Sequence, residues 1–273
     1  MECRIRQATV HYVEHGTGVP LVALHGAGVD HRDIEAAVEA ILPNDGYRRI
    51  YPDLPGMGYS TGDGLTSNDD VVDLLSDFIE RVAKGPALVL GHSYGGYLAR
   101  GMAAQRPDVI LGLALICPLA EQSTDVPPPT VVREDQDTYD DLEPEHRPGF
   151  EEYFVVRTRA TARRYRDRVR PGTALVDEAA LERIFTGWAV DVGESTSALP
   201  SLIVVGRQDS TVGYADAMRL LERYPHAGLA VIEGAGHALL HEHPNLVAAL
   251  VHDWLDRVGR RPPGSRAGRR SPS

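Results

Sequence analysis

Cysteine is nearly missing from this chain: Cys3 and Cys117 are the only two in 273 residues, and Cys117 lies inside a strongly apolar run. Two thiols so placed exclude a disulfide framework, so both are expected to be free. Nowhere do 18 apolar residues follow one another, and the opening Met1-Glu2-Cys3-Arg4-Ile5-Arg6 has no apolar stretch of the kind a secretory leader needs. Neither a membrane span nor a signal peptide is expected, which makes the cytoplasm the expected compartment and removes the membrane as a partner. An excess of positive charge is missing as well, since 28 basic against 39 acidic side chains leave −11. Five of the arginines sit between Arg260 and Ser273, a stretch without acids, so the other 259 residues hold 23 basic and 39 acidic groups, a charge of −16. Such a body repels phosphate backbones and excludes a general nucleic-acid role. The tail from Arg260 cannot repay the entropy of ordering and is expected to be disordered. The 27 Gly and 19 Pro show no three-residue period, which excludes collagen.

What is present is a globular composition, 42% hydrophobic and 25% charged, on a chain long enough to bury a large core. Short apolar runs bounded by turn residues read as buried strands at Pro20 to Leu24, Arg49 to Tyr51, Ala87 to Leu90, Leu111 to Cys117, Ser201 to Val205 and Leu229 to Ile232. Ala8 to Val13 reads as an edge strand. Helical periodicity appears at Asp69 to Ala83, Tyr97 to Gln105, Tyr214 to Arg223 and Asn245 to Val258. This alternation predicts an α/β fold with a mostly parallel central sheet and helices on both faces.

The alternation breaks between Glu121 and Leu199. That stretch opens on Val126 to Thr130, with Pro127, Pro128 and Pro129 inside, passes through an acidic run from Glu134 to Glu145, and enters a helical pattern over Phe150 to Val169. Seven arginines fall between Arg157 and Arg170. The expected organisation is therefore a core of residues 1–119 and 200–259, a helical lid insertion over 120–199, and the tail 260–273. The acidic run and the arginines are expected to face solvent and partly neutralise one another.

The chemistry lies in three loops. Gly91-His92-Ser93-Tyr94-Gly95-Gly96 follows a buried strand and opens a helix, the context in which a GxSxG motif lifts a serine nucleophile above a sheet. A glycine-rich structural turn with an inert serine is the competing reading. Serine needs a base, and the base an orienting acid. Asp209 follows the strand Ser201 to Val205 and its Gly206, and His237 follows Gly234-Ala235-Gly236, so both groups fall at strand ends in the order Ser, Asp, His. Glu121 is the alternative acid. His241 and His243 lie close to His237, but with only Glu242 interleaved the spacing argues against zinc, and both are expected on the surface near the start of the last helix. His25 and His92 are expected to make hydrogen bonds that shape turns. An oxyanion needs preorganised donors, expected from the backbone N–H groups of Tyr94 and of Ala27 in His25-Gly26-Ala27-Gly28.

These motifs, with Asp53-Leu54-Pro55-Gly56-Met57-Gly58-Tyr59-Ser60, make the chain resemble the α/β-hydrolase superfamily in its lid-bearing, carboxylesterase-like branch. The resemblance implies Ser93 as nucleophile, His237 as base, Asp209 as acid, Ala27 and Tyr94 as oxyanion donors, and no cofactor or metal. A small-molecule substrate follows. Relatives that dehalogenate or open epoxides place Asp where Ser93 stands, and proline iminopeptidases differ in the loop at Asp53. Hydrolysis of a small ester, lactone or thioester is the leading reading. An acyltransferase, cyclase or perhydrolase without cofactor, and a receptor-like binding protein that keeps the three residues, are the alternatives. Among the large apolar residues of the insertion (Phe150, Tyr153, Phe154, Tyr165 and Trp188), Phe154 and Trp188 are the expected pocket residues.

Overall fold

The computed structural model describes residues 1–42, 45–120 and 125–260. Its strands are β1 (Glu2–Ile5), β2 (Ala8–His15), β3 (Val19–Leu24), β4 (Tyr47–Pro52), β5 (Ala87–His92), β6 (Ile110–Ile116), the two-residue β7 (Arg133–Glu134) and β8 (Val156–Arg157), β9 (Ser201–Gly206) and β10 (Ala227–Ile232). Eight of them form one sheet in the order β1-β2-β4-β3-β5-β6-β9-β10. Pairing is antiparallel at β1–β2 and β2–β4 and parallel from β4 to β10.

The central strands read as unbroken apolar runs because both faces are covered. Side chains alternate between them: Val22, Leu24, Val89, Leu113, Leu115, Ile203 and Val205 point into one core, while Leu21, Leu88, Leu90, Ala114, Leu202 and Val204 point into the other. The first core is closed by α2 (Asn68–Phe78), α3 (Tyr94–Gln105) and α8 (Ala215–Arg223), the second by α1 (His31–Ile41) and α10 (Pro244–Gly259). In α1 the N-cap Asp30 accepts the Arg32 N–H, and the buried residues Ile34, Ala37, Val38 and Ile41 make the inward stripe. The strand read from Ala8 is in place but is not the edge: β1 pairs outside it, and with only one fully buried residue, Ile5, has no apolar run to betray it. The helix read over Asp69 to Ala83 closes with a π turn at Ile79–Ala83, stopped by Lys84 in the left-handed conformation.

Between β6 and β9 the chain leaves the sheet and forms α4 (Arg147–Tyr153), α5 (Arg159–Arg164), α6 (Arg170–Thr173) and α7 (Glu178–Phe185). The single helix expected over Phe150 to Val169 is broken after Tyr153. Phe154-Val155-Val156 is extended, with β8 pairing β7, and Thr158 restarts the helix through a reciprocal cap with Thr161. Arg159 and Arg163 both bind Asp141, and Arg157 binds Glu134, so arginines and acids of this segment do pair. Phe150, Phe154, Tyr165, Val169 and Leu142 bury together in one apolar cluster with Val29 and Ala238 of the core. No helix among the described residues is long and apolar enough to cross a membrane.

Candidate active site

Ser93 occupies the one-residue corner between β5 and α3, at φ +52° and ψ −118°. A non-glycine residue there is strained, and surrounding backbone bonds hold it. The Ser93 N–H donates to the Ile116 carbonyl at 3.0 Å, and its own carbonyl accepts from Tyr97 and Leu119, each at 3.1 Å. The corner can be this tight because its neighbours lack side chains: a Cβ on Gly95 would stand 2.5 Å from the carbonyl oxygens of Leu24 and His25, and one on Gly91 2.5 Å from that of Gly95. Strand, helix and the loop after β3 thus meet backbone to backbone around Ser93.

His237 and Asp209 come from the loops after β10 and β9, neighbours in the sheet. His237 Nδ1 lies 2.8 Å from Asp209 Oδ2, and Asp209 Oδ1 accepts from the Thr211 and Val212 N–H groups at 2.9 and 3.0 Å. Burial alone would raise the Asp209 carboxyl, but His237 and these donors outweigh it and hold it below the usual carboxylate range. An ionised Asp209 requires the proton on Nδ1, which leaves the Nε2 lone pair of His237 free to accept another.

His92, inside the motif, ties the two halves of the site together. Its Nε2–H donates to the His237 carbonyl at 3.0 Å, the two rings lie 4.8 Å apart, and its buried Nδ1 has no partner among the described residues. Burial, joined by the nearby His237, lowers the imidazole to about 4. An unfolded His92 takes up a proton below about pH 6.5, whereas the folded one refuses it until about 4. Its stabilising effect is therefore lost as pH falls through that window, by up to ~3 kcal/mol. His92→Gln keeps a donor for the carbonyl without the proton site, so its urea midpoint should fall less than the wild-type midpoint between about pH 6.5 and about 4. Equal falls would show that protonation occurs elsewhere.

The loop His25 to Gly28 closes over the corner. His25 donates from Nδ1 to the Gly26 carbonyl at 2.7 Å and accepts the Leu54 N–H on Nε2 at 2.9 Å, so the buried ring shapes the turn. A Cβ on Gly26 would lie 3.4 Å from the Ser93 Cβ, and Ala27 is exposed at the tip. Behind the loop, Asp53 accepts from the His31 N–H (2.8 Å), His31 Nδ1 (2.7 Å), His11 Nδ1 (2.9 Å) and the Tyr59 N–H (3.0 Å). These two histidines with Asp53, and His92 with Cys117 and His237, are the described groups that bring metal-type donor atoms within 4.8 Å. In the first, Asp53 already receives four hydrogen bonds. In the second, burial pushes the Cys117 thiol well up, against the thiolate a metal requires.

Of the two expected pocket residues, Trp188 is partly exposed, with its ring stacked on Tyr94 and Tyr97 at 6.2 and 5.8 Å. Phe154 is fully buried and meets Phe150, Tyr153, Tyr165 and His241. The aromatic residue of the insertion that the structure brings against His237 is Tyr153, with ring centroids 6.4 Å apart.

One expectation is corrected. The His241 side chain is buried: its Nε2 binds Asp33 Oδ1 at 2.7 Å, and both side chains are 2% exposed. His243 turns to the Gly234 carbonyl, so the three histidines do not converge. Sequence reasoning also missed Asp33 and Glu242. The acidic Asp33 in the first turn of α1 and the interleaved Glu242 were the available signals. Glu121 lies outside the described residues.

A model of the alpha/beta hydrolase family matches residues 21–250. The (E)-2-((N-methylformamido)methylene)succinate hydrolase of Acinetobacter baylyi is 23% identical over 91% of this chain and 94% of its own length. The pimeloyl-[acyl-carrier protein] methyl ester esterase of Xanthomonas campestris is 30% identical over 88% and 96%. A crystal structure of an alpha/beta superfamily hydrolase from Oenococcus oeni superposes with a TM-score of 0.84 at 25% identity, covering 95% of this chain and 99% of that one. With this sheet order, this match across the core and esterases among its relatives, the chain belongs to the alpha/beta hydrolase family as an esterase-like hydrolase.

Proposed function

We propose that the protein is a serine hydrolase that cleaves a small ester, lactone or thioester through an acyl-enzyme. The observation that carries this is the strained Ser93 corner, bound through His92 to the loop of an imidazole that Asp209 orients. Ser93 Oγ attacks the carbonyl carbon while His237 Nε2 takes its proton. The N–H groups of Ala27 and Tyr94 receive the oxyanion, where the N-terminus of α3 also favours negative charge. Collapse breaks the bond to the leaving group, which takes the proton from His237. Water then gives a proton to His237 and attacks the acyl carbon, and Ser93 leaves with that proton restored. A fluorophosphonate should add to Ser93 and to no other serine, as read by peptide mass spectrometry. An adduct elsewhere, or none, overturns the assignment.

Residues 120–199 serve as the lid in this reading, set on the core of 1–119 and 200–259. Tyr153 at His237 and Trp188 on Tyr94 support a roof over the acyl or alcohol group. Trp188 is the side chain to test first, because Phe154 lies one layer back. Trp188→Ala should change the ratio of kcat/KM between short and long acyl esters several-fold without abolishing turnover of the shortest. A uniform loss across the series would leave Trp188 a packing residue.

A further inference from the structure

Beside the proposed catalytic histidine lies a second buried acid–imidazole pair that the mechanism does not use. Asp33 Oδ1 binds His241 Nε2 at 2.7 Å, and Asp33 Oδ2 accepts from the Tyr153 hydroxyl at 3.3 Å. Burial would raise the Asp33 carboxyl, but His241 outweighs it and keeps the group below its ordinary value, so Asp33 is a carboxylate. Glu242, next to His241, accepts from the backbone N–H groups of Gly236 (2.7 Å), Val155 (2.8 Å) and Val156 (3.2 Å). The adjacent pair sits on the single turn α9 (Leu239–Glu242), which begins two residues after His237.

Burying an acid–base pair costs desolvation that well-packed apolar side chains would avoid, so its placement needs a reason other than stability. The placement supplies one. Asp33 stands on α1, which follows the oxyanion loop, His241 and Glu242 on the turn after His237, and Tyr153 at the end of α4 in the insertion. Three separate segments of the chain meet at this node, and one of them, the Tyr153 end of α4, touches the imidazole. The Tyr153 ring, held at its hydroxyl by Asp33 and along the next residues by Glu242, packs edge-to-face with His237 at 79°.

We propose that Asp33, His241 and Glu242 form a latch that fixes Tyr153 of the inserted segment against His237, making Tyr153 a positioning residue for the imidazole. The proposal rests on the serine-hydrolase reading above. Asp209 holds one edge of the imidazole, and the latched phenol limits its swing away from Ser93 and keeps water off the His237–Asp209 bond. Small displacements of a proton acceptor are costly in rate, while ground-state binding of substrate need not change.

Tyr153→Phe removes the hydroxyl and keeps the ring, and Asp33→Asn weakens the same bond from the other end. Each should lower kcat and the rate of fluorophosphonate addition to Ser93 by about tenfold, with KM within about twofold. The double variant should be no more than about twofold slower than the slower single one, because one latch is lost once. Glu242→Gln, which keeps an acceptor oxygen, should retain more of the rate than Glu242→Ala. A role confined to folding would instead lower the melting temperature and leave the rate of Ser93 labelling per folded molecule at the wild-type value. That result, or multiplicative losses in the double variant, overturns the latch. A wild-type protein whose Ser93 does not label overturns the serine-hydrolase reading and the latch with it, so the two failures are told apart by the wild-type control.

Discussion

Replacing Ser93 with alanine should lower kcat by on the order of 10⁴ or more, because a nucleophile and its base act as a unit and lose nearly everything when either goes. The fold should survive. The Ser93 side chain makes no capping bond at the start of α3, and the strain at φ +52° is the same for alanine, since both residues carry a Cβ. The thermal midpoint should therefore stay close to that of the parent protein while turnover of an activated ester falls to background. More than a tenth of the activity remaining would move the nucleophile away from the corner. The glycines at 91 and 95 would then need another reason for their backbone contacts.

Asp209→Asn should cost kcat on the order of 10⁴ as well, for a different reason. An asparagine oxygen can still accept from Thr211 and Val212, so the loop keeps its shape. The amide then faces His237 and donates where the carboxylate accepted. That forces the imidazole proton onto Nε2, where the lone pair must be free to take the proton of Ser93. Stability carries a matching signature. The Asp209 carboxyl is lowered in the folded protein, so its contribution is present above the ordinary carboxylate range, about 3.9, and is lost as pH falls through the lowered value. The stability gap between parent and variant should be largest at neutral pH and close in acid. Undiminished turnover by Asp209→Asn would pass the role of orienting acid to Glu121.

The parts of this fold that could be read directly are those whose local pattern and global role coincide. Leu88 to Leu90 is apolar at every position because both faces of β5 are buried, and the glycines around Ser93 are there because backbones touch. Ser93 and Asp209 each follow such a strand, whereas His237 follows the partly exposed edge strand β10 and is marked instead by the glycines at 234 and 236. The misses have the opposite origin. Glu2 to Ile5 pairs at a sheet edge with mostly exposed side chains, and in the polar opening of α1 the burial of His31 and Asp33 depends on Asp53 and His241 farther along the chain. Asp33 and His241 lie 208 residues apart, and nothing local distinguishes a buried histidine from a surface one. The break after Tyr153 escaped for the same reason. The arginines on either side favour a helix, yet Val155 and Val156 give their N–H groups to Glu242 from another element.

The excursion between β6 and β9 begins and ends on strands that are immediate neighbours in the sheet, with the Cys117 N–H donating to the Val204 carbonyl at 2.8 Å where the chain departs. The sheet itself pins the two ends of that segment side by side, whatever lies between them. Closing such a loop costs only about 0.6 kcal/mol more for each doubling of its length. A change in the length of the segment is thus cheap in chain entropy, and what it puts at risk is the packing of Leu181, Ile184 and Val190 into the core and of Tyr153 against His237.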